Sequence, residues 1–156
     1  AVALGDGQYL AFCQDISERK RNEAALRSYH HRLEATMQAG NIAWWEMDIS
    51  SGAVTFNETK ARMLGYDPDA FSHYQDFTAL LHPEDYEPAM QSMRDCLTGR
   101  STRYEIIYRI MTADGKYRRF HDIGRITQRD SAGNPRKVTG VVIDITQYTS
   151  SGPDTA

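Results

Sequence analysis

The first clear pattern in the chain is helical. From Glu18 to Gln38 there is neither Pro nor Gly, and Arg, Lys, Glu, Ala and Leu, all strong helix formers, predominate. Ser17 is placed to cap the first turn of this helix. Leu26, Leu33 and Met37 recur at helical spacing and form a narrow apolar stripe. Such a stripe favours pairing with a second helix, and packing on its own domain is the alternative.

The next segment alternates between apolar and polar residues, as a β-strand with one buried face does. Ala43, Trp45 and Met47 have one parity, and the residues between them are more polar. The turn Ser50-Ser51-Gly52 then leads into a second short strand at residues 53–57. The two strands are therefore predicted to form a β-hairpin.

The middle of the chain predicts helices of different lengths. Asn57 is placed to cap a helix from Glu58 to Leu64, and Asp67-Pro68 indicates a short turn. His82-Pro83 is a helix-start signal, with His82 as a capping or turn residue and Pro83 in the first turn. This longer helix is predicted to end at Gly99.

The last third of the chain predicts three long antiparallel strands. Residues 103–112 and 116–127 flank an Asp-Gly pair, which is a strong hairpin signal. A loop at 129–135 leads to the third strand, 137–146. The order of helix, two strands, short helices and three strands indicates the α+β class. We expect one five-stranded antiparallel sheet with the short helices on one face, plus the N-terminal helix.

Composition narrows the class of protein. The chain has 156 residues, 40% of them apolar and 25% charged, which suits one domain with a buried core. A net charge of −3 argues against a nucleic-acid partner. No apolar run approaches the roughly 18 residues of a membrane span. Two cysteines and the lack of a visible signal peptide favour the cytoplasm, and the missing initial Met indicates a piece of a longer protein, which could itself be membrane-anchored.

Residues 41–147 resemble a PAS domain of the subtype whose first strand reads W-x-x-D, here Trp45-Glu46-Met47-Asp48. Four further segments resemble the family in the expected order: "ARMLGYDPDAF", "LLHPEDYEPAMQSM", "YRIMTADGKYRRF" and "GNPRKVTGVVIDIT". The resemblance implies the PAS fold and a sensory role. It also implies that Asp144-Ile145-Thr146 ends the domain and leads into a signalling helix.

A second copy of that ending, Asp15-Ile16-Ser17, lies about one PAS domain and one connecting helix upstream. We therefore expect residues 1–16 to be the tail of a preceding PAS-like module and 17–40 to be a linker helix. The PAS domain would follow at 41–147, and 148–156 would begin a C-terminal linker. A chance repeat of so short a motif is the alternative.

No catalytic motif is visible, so we expect that this chain is not itself an enzyme. The resemblance implies a sensory module that binds a small ligand or partner and relays a conformational signal. Its parent would be a sensor histidine kinase of a two-component system or, alternatively, a diguanylate cyclase. A ligand-free dimerisation or spacer module is the other alternative. Expected partners are a second copy, through the N-terminal helix, and the adjacent PAS and effector domains.

We expect neither flavin nor haem, and no metal, and the sequence does not identify a ligand. The G-x-N-C-R-F-L-Q motif of flavin-binding members does not occur, and the span from Tyr86 to Leu97 lacks the His of haem-binding members. Adjacent His30 and His31 diverge on a helix, and Cys96 is interpreted as a small hydrophobic residue.

PAS folds hold small molecules between the sheet and the short helices, which implies a mostly apolar pocket for a small organic ligand, with a filled core as the alternative. The candidate pocket residues are Trp45, Phe56, Met63, Leu64, Leu80, Met90, Met93, Ile106, Tyr108 and Ile123. For signal transfer we expect Asp144 and Thr146 to cap the helix that follows the last strand. The family pattern suggests Arg109 as their cationic partner.

Overall fold

The computed structural model describes the backbone of residues 6–148 and the side chains of residues 15–148. The chain divides into two compact units, Ala1–Met37 and Gln38–Ala156. The predicted domain boundaries at 16, 40 and 147 stay predictions. Parts of the two terminal segments, residues 1–5 and 149–156, lie outside the described residues.

The first unit consists mainly of helix α1, which runs from Asp6 to Ala39. The predicted helix is confirmed, but its predicted start is wrong, because Ser17 lies inside α1 rather than at its N-cap. The apolar run that precedes Asp15 contains no Pro, and such a run is compatible with a helix as well as with a strand. The apolar stripe of α1 is exposed, with Leu26 at 62% and Tyr29 at 64%.

The second unit is built on a five-stranded antiparallel sheet, as the alternating patterns predicted. Its strands are β1 (Ile42–Asp48), β2 (Val54–Phe56), β3 (Tyr104–Met111), β4 (Tyr117–Arg129) and β5 (Pro135–Asp144). Their order across the sheet is β2-β1-β5-β4-β3. The first and last strands therefore pair at the centre of the sheet, with Trp45 opposite Gly140.

Helices cover one face of this sheet. They are α2 (Glu58–Leu64), α3 (Tyr74–Thr78) and α4 (Pro83–Leu97), with short 3₁₀ turns at Pro68–Ala70 and Thr146–Tyr148. His82 caps α4 as predicted, because its Nδ1 accepts from the Glu84 N–H at 3.2 Å. Asn57 precedes α2 but does not cap it through its side chain. Its Oδ1 instead accepts from the Trp44 N–H at 3.2 Å.

The covered face carries the core, and Trp45 lies at its centre. A side-chain Cβ built on Gly140 would lie 2.6 Å from the Trp45 ring and 2.5 Å from the Ile123 carbonyl oxygen. At Gly124 the corresponding distance to the ring is 3.0 Å. Two glycines on neighbouring strands thus leave the space that the indole occupies. Trp45 therefore rests directly on the backbones of β4 and β5.

Candidate functional site

A small cavity lies between the sheet and the helices of the second unit, with a volume of about 70 Å³. Its sheet side is formed by Trp45, Met47, Val54, Tyr104, Tyr108, Ile110 and Asp122. Its helix side is formed by Lys60, Tyr74, Phe77, Thr78, Leu81 and Met90. At roughly 15 Å³ for each water centre, this space suits about five water molecules or a ligand of similar size.

Asp122 is the fixed polar group of this cavity. It lies on β4 and is only 5% exposed. The Trp45 indole Nε1–H donates to its Oδ1 at 2.7 Å, and the Tyr108 hydroxyl donates to its Oδ2 at 2.9 Å. Burial raises the pKa of the Asp122 carboxyl, and the nearby Lys60 charge opposes this rise. The two aromatic donors therefore hold a buried carboxyl group in one orientation.

Lys60 is the second buried ionisable group at the cavity. Its side chain extends from α2, is 5% exposed, and has its Nζ 4.0 Å from the centre of the Phe77 ring and 5.5 Å from that of Trp45. Within the described part of the chain, Nζ forms no hydrogen bond or salt bridge, and it is not a fully buried atom. Burial lowers the pKa of Lys60 to about 8, and the Asp122 charge limits the fall. The ammonium is thus held by aromatic faces and a nearby charge.

Three of the ten predicted pocket residues, Trp45, Tyr108 and Met90, line this cavity. Six of the other seven belong to the hydrophobic core or pack against it, namely Phe56, Met63, Leu64, Leu80, Met93 and Ile106. The seventh, Ile123, does neither. Ile123 follows Asp122 in β4, and consecutive strand residues point to opposite faces. Its side chain therefore lies on the face away from the cavity.

Lys60 and Asp122 were missed because charged residues in a sequence are normally interpreted as exposed. The burial of Asp122 could have been predicted from the strand alternation, because it occupies the same face of β4 as the buried Phe120 and Gly124. The signal for Lys60 is its position one helical turn before buried Leu64.

At the end of β5, the Asp144 carboxylate contacts β4 and the 3₁₀ turn that follows β5. The Thr146 N–H donates to its Oδ1 at 3.0 Å, and Arg118 Nη1 donates to its Oδ2 at 2.7 Å. The Thr146 hydroxyl oxygen in turn accepts from the Arg119 N–H at 3.0 Å. Asp144 and Thr146 therefore contact each other, and β4 supplies the cation. Their predicted capping of a helix after the domain stays a prediction.

The predicted partner of this junction, Arg109, lies elsewhere. Its Nε donates to Asp85 Oδ2 at 2.8 Å, and Nη2 donates to Glu84 at 2.9 Å, both at the start of α4. The Arg109–Asp144 pairing is wrong because β4 separates β3 from β5. Adjacent strands are about 4.8 Å apart, so a residue on β4 reaches Asp144 more directly. The Arg109 side chain instead joins the edge strand to α4.

Other predicted candidates stay apart from the cavity. Cys96 is buried at the end of α4, and burial raises the pKa of its thiol. His30 and His31 are exposed on α1. Among the side chains of residues 15–148, no three His, Cys, Asp or Glu residues gather as a metal site. No helix in the described part of the chain is long and apolar enough to cross a membrane.

A five-stranded antiparallel sheet with short helices on one face and a small, partly polar cavity between them defines a class of α+β module. The chain belongs to the PAS fold family, whose sequence model matches residues 53–142. The resemblance stated from the sequence is thereby confirmed, while the W-x-x-D subtype stays a prediction.

Similar proteins come from sensory signalling. The chain is 26% identical over 136 residues to the two-component sensor PprA of Pseudomonas aeruginosa, covering 85% of this chain and 14% of that protein. It is 24% identical to the probable diguanylate cyclase DgcE of Escherichia coli, covering 89% of this chain and 12% of that protein. A sensory box histidine kinase/response regulator from Burkholderia thailandensis shares the fold, with a TM-score of 0.64 and 21% identity over 76% of this chain and 88% of the solved one. The chain is therefore a sensory signalling module, and it spans a small part of these relatives.

Proposed function

We propose that this PAS module binds a small ligand in its internal cavity and relays a conformational change to an effector domain, without catalysing a reaction itself. The observation that carries the proposal is a mostly apolar cavity whose lining includes the oriented carboxyl group of Asp122 and the ammonium of Lys60. Ligand sites typically combine apolar walls with a few convergent polar groups. The volume limits the ligand to a molecule much smaller than haem or flavin.

The relay would run through Trp45. Its ring lines the cavity and rests on Gly140 of β5, and its Nε1–H holds Asp122. A ligand that displaces the ring would press on the central strand, which ends at Asp144. A shift of β5 would then alter the contacts of Asp144 with Thr146 and Arg118, and the chain direction after the domain would change.

The experiment is to denature the purified chain and to analyse the protein-free extract by mass spectrometry and NMR. We expect a small molecule at about one equivalent per folded chain. A wild-type extract that contains no stoichiometric small molecule, in several expression hosts, would contradict the proposal.

The small volume of the cavity also supports a second candidate, a ligand-free dimerisation or spacer module. Under both candidates we propose that two copies pair through α1, because its apolar stripe, including Leu26, Tyr29 and Leu33, is exposed. Light scattering of the chain with and without residues 1–40 tests the pairing. Loss of the dimer on truncation is expected, and a monomer in both cases would contradict it.

We propose that the parent is a cytoplasmic or membrane-anchored sensor histidine kinase in which other PAS modules precede this one, with a diguanylate cyclase as the second candidate. The relatives named above support both parents, since one is a two-component sensor and another a probable diguanylate cyclase. Reading the gene that encodes this chain past residue 156 tests the proposal. A kinase core is expected, and a catalytic domain of another kind would contradict it.

A further inference from the structure

The charges at the cavity point to one chemical class of ligand. We propose that the cavity binds a small monocarboxylate, whose carboxylate group accepts hydrogen bonds from the Lys60 ammonium. The inference rests on the proposed function, because it names the ligand of the same cavity.

Lys60 supplies the donors. An ammonium carries three N–H groups. Among the described residues no fully buried side-chain nitrogen lacks a partner, so the unpaired Lys60 Nζ reaches the open space of the cavity, where a ligand can accept from it. The rings of Phe77 and Trp45 stabilise the positive charge but do not replace hydrogen-bond acceptors. A carboxylate in the cavity would satisfy these donors and also the charge.

Asp122 does not fill this role. Its two oxygens already accept from Trp45 and Tyr108, and neither forms a salt bridge with the Lys60 ammonium. The carboxyl group is nevertheless close enough for its charge to act on Lys60. When a second carboxylate enters, repulsion would favour the protonated form of Asp122, whose pKa burial already raises. The cavity can therefore hold a ligand carboxylate beside a protonated Asp122, so that two ionised carboxylates do not lie together.

The walls set the size and shape of the ligand. The space suits about five water molecules, which is the size of acetate or propionate. Apart from Lys60 and Asp122, the lining is dominated by apolar and aromatic side chains such as Met47, Met90 and Ile110. An alkyl tail that contacts these walls suits the site better than a second charged group. Short monocarboxylates are therefore favoured over dicarboxylates.

The test is a titration of the ¹⁵N-labelled chain with sodium acetate, propionate and butyrate, with acetamide and propionamide as neutral controls of matched shape. Binding is followed by the indole N–H resonance of Trp45. We expect saturable shifts with at least one carboxylate, and at least tenfold weaker binding of the matching amide. Equal binding of acid and amide would overturn the inference, and so would the absence of any shift.

The matched variants are Lys60→Met, which removes the buried charge, and Arg62→Met, which removes an exposed charge from the same helix. We expect Lys60→Met to weaken carboxylate binding at least tenfold and Arg62→Met to leave it within twofold. Lys60→Gln serves as a second variant should the Met variant not fold. Carboxylate binding unchanged in a folded Lys60 variant would overturn the inference.

The extract described above separates this inference from the proposed function. A stoichiometric ligand that is not a carboxylic acid would overturn the inference and leave the proposed function standing. An empty extract together with no carboxylate binding would overturn both.

Discussion

Replacing Lys60 by Met should remove a pH dependence of stability that the buried ammonium imposes. In the folded chain burial lowers the pKa of Lys60 from its ordinary value of 10.5 to about 8. Between these two values the unfolded lysine keeps its proton while the folded one has released it. Stability is linked to the difference in bound protons, so the wild-type chain should gain stability as the pH rises through this window.

The magnitude follows from the two pKa values. Each pH unit in the window adds about 1.4 kcal/mol to the free energy of unfolding. Because the folded group is half titrated near pH 8 and the unfolded one near pH 10.5, the gain from pH 7 to pH 9.5 is about 2 kcal/mol. The Lys60→Met variant lacks this gain.

The assay is urea unfolding of both proteins at half-unit steps from pH 7 to pH 9.5, in buffers without carboxylates. Tyr104, Tyr108 and Cys96 also have pKa values raised by burial, and they work in the opposite direction as the pH rises. They occur in both proteins, so the difference between the two unfolding free energies removes their contribution and leaves that of Lys60 together with the neighbouring Asp122, whose charge interacts with it. If the difference between the two unfolding free energies stays constant from pH 7 to pH 9.5, the conclusion that burial lowers the pKa of Lys60 is refuted.

Three further predictions concern the rest of the structure. Gly140→Ala should lower the unfolding free energy by about 1–3 kcal/mol, measured in urea, because the new methyl group overlaps the indole and a backbone carbonyl; full stability would contradict the packing. Arg118→Ala should increase amide hydrogen exchange at the end of β5, because Asp144 loses its cation, and an unchanged exchange rate there would argue against this role. Asp85→Asn should lower the unfolding free energy by up to about 2 kcal/mol at pH 7 and by almost nothing at pH 2. The reason is that the contact with Arg109 lowers the pKa of the Asp85 carboxyl from 3.8 to about 2, and the stability it provides is lost as the pH falls through the lower value. An equal loss of unfolding free energy at both pH values would contradict the ion pair.

The architecture could be predicted because its signals are local. Alternating apolar residues identified the strands, and Trp45 was assigned to the buried face of β1 as the structure has it. Pro83 marked the start of α4 because its fixed backbone angle suits the first turn of a helix. Helix α3 was missed because five residues are too few to display a helical period.

The site could be predicted only in part because it depends on the order and parity of strands. Arg109 was assigned to Asp144 from the family pattern, although β4 lies between β3 and β5 and its Arg118 contacts that carboxylate. A shift of one position separates Asp122, which faces the cavity, from Ile123, which does not. Lys60 was missed because its burial depends on tertiary packing against Phe77 and Trp45.

The central claim is that a ligand in the cavity changes the junction at the end of the domain. The most direct measurement follows the Trp45 indole N–H and the Thr146 amide N–H together while propionate is added to the ¹⁵N-labelled chain. The account predicts that both resonances shift with the same saturation curve, and that neither shifts in the Lys60→Met variant. A Trp45 shift without a Thr146 shift would contradict the relay, and no shift at either position would contradict binding in the cavity.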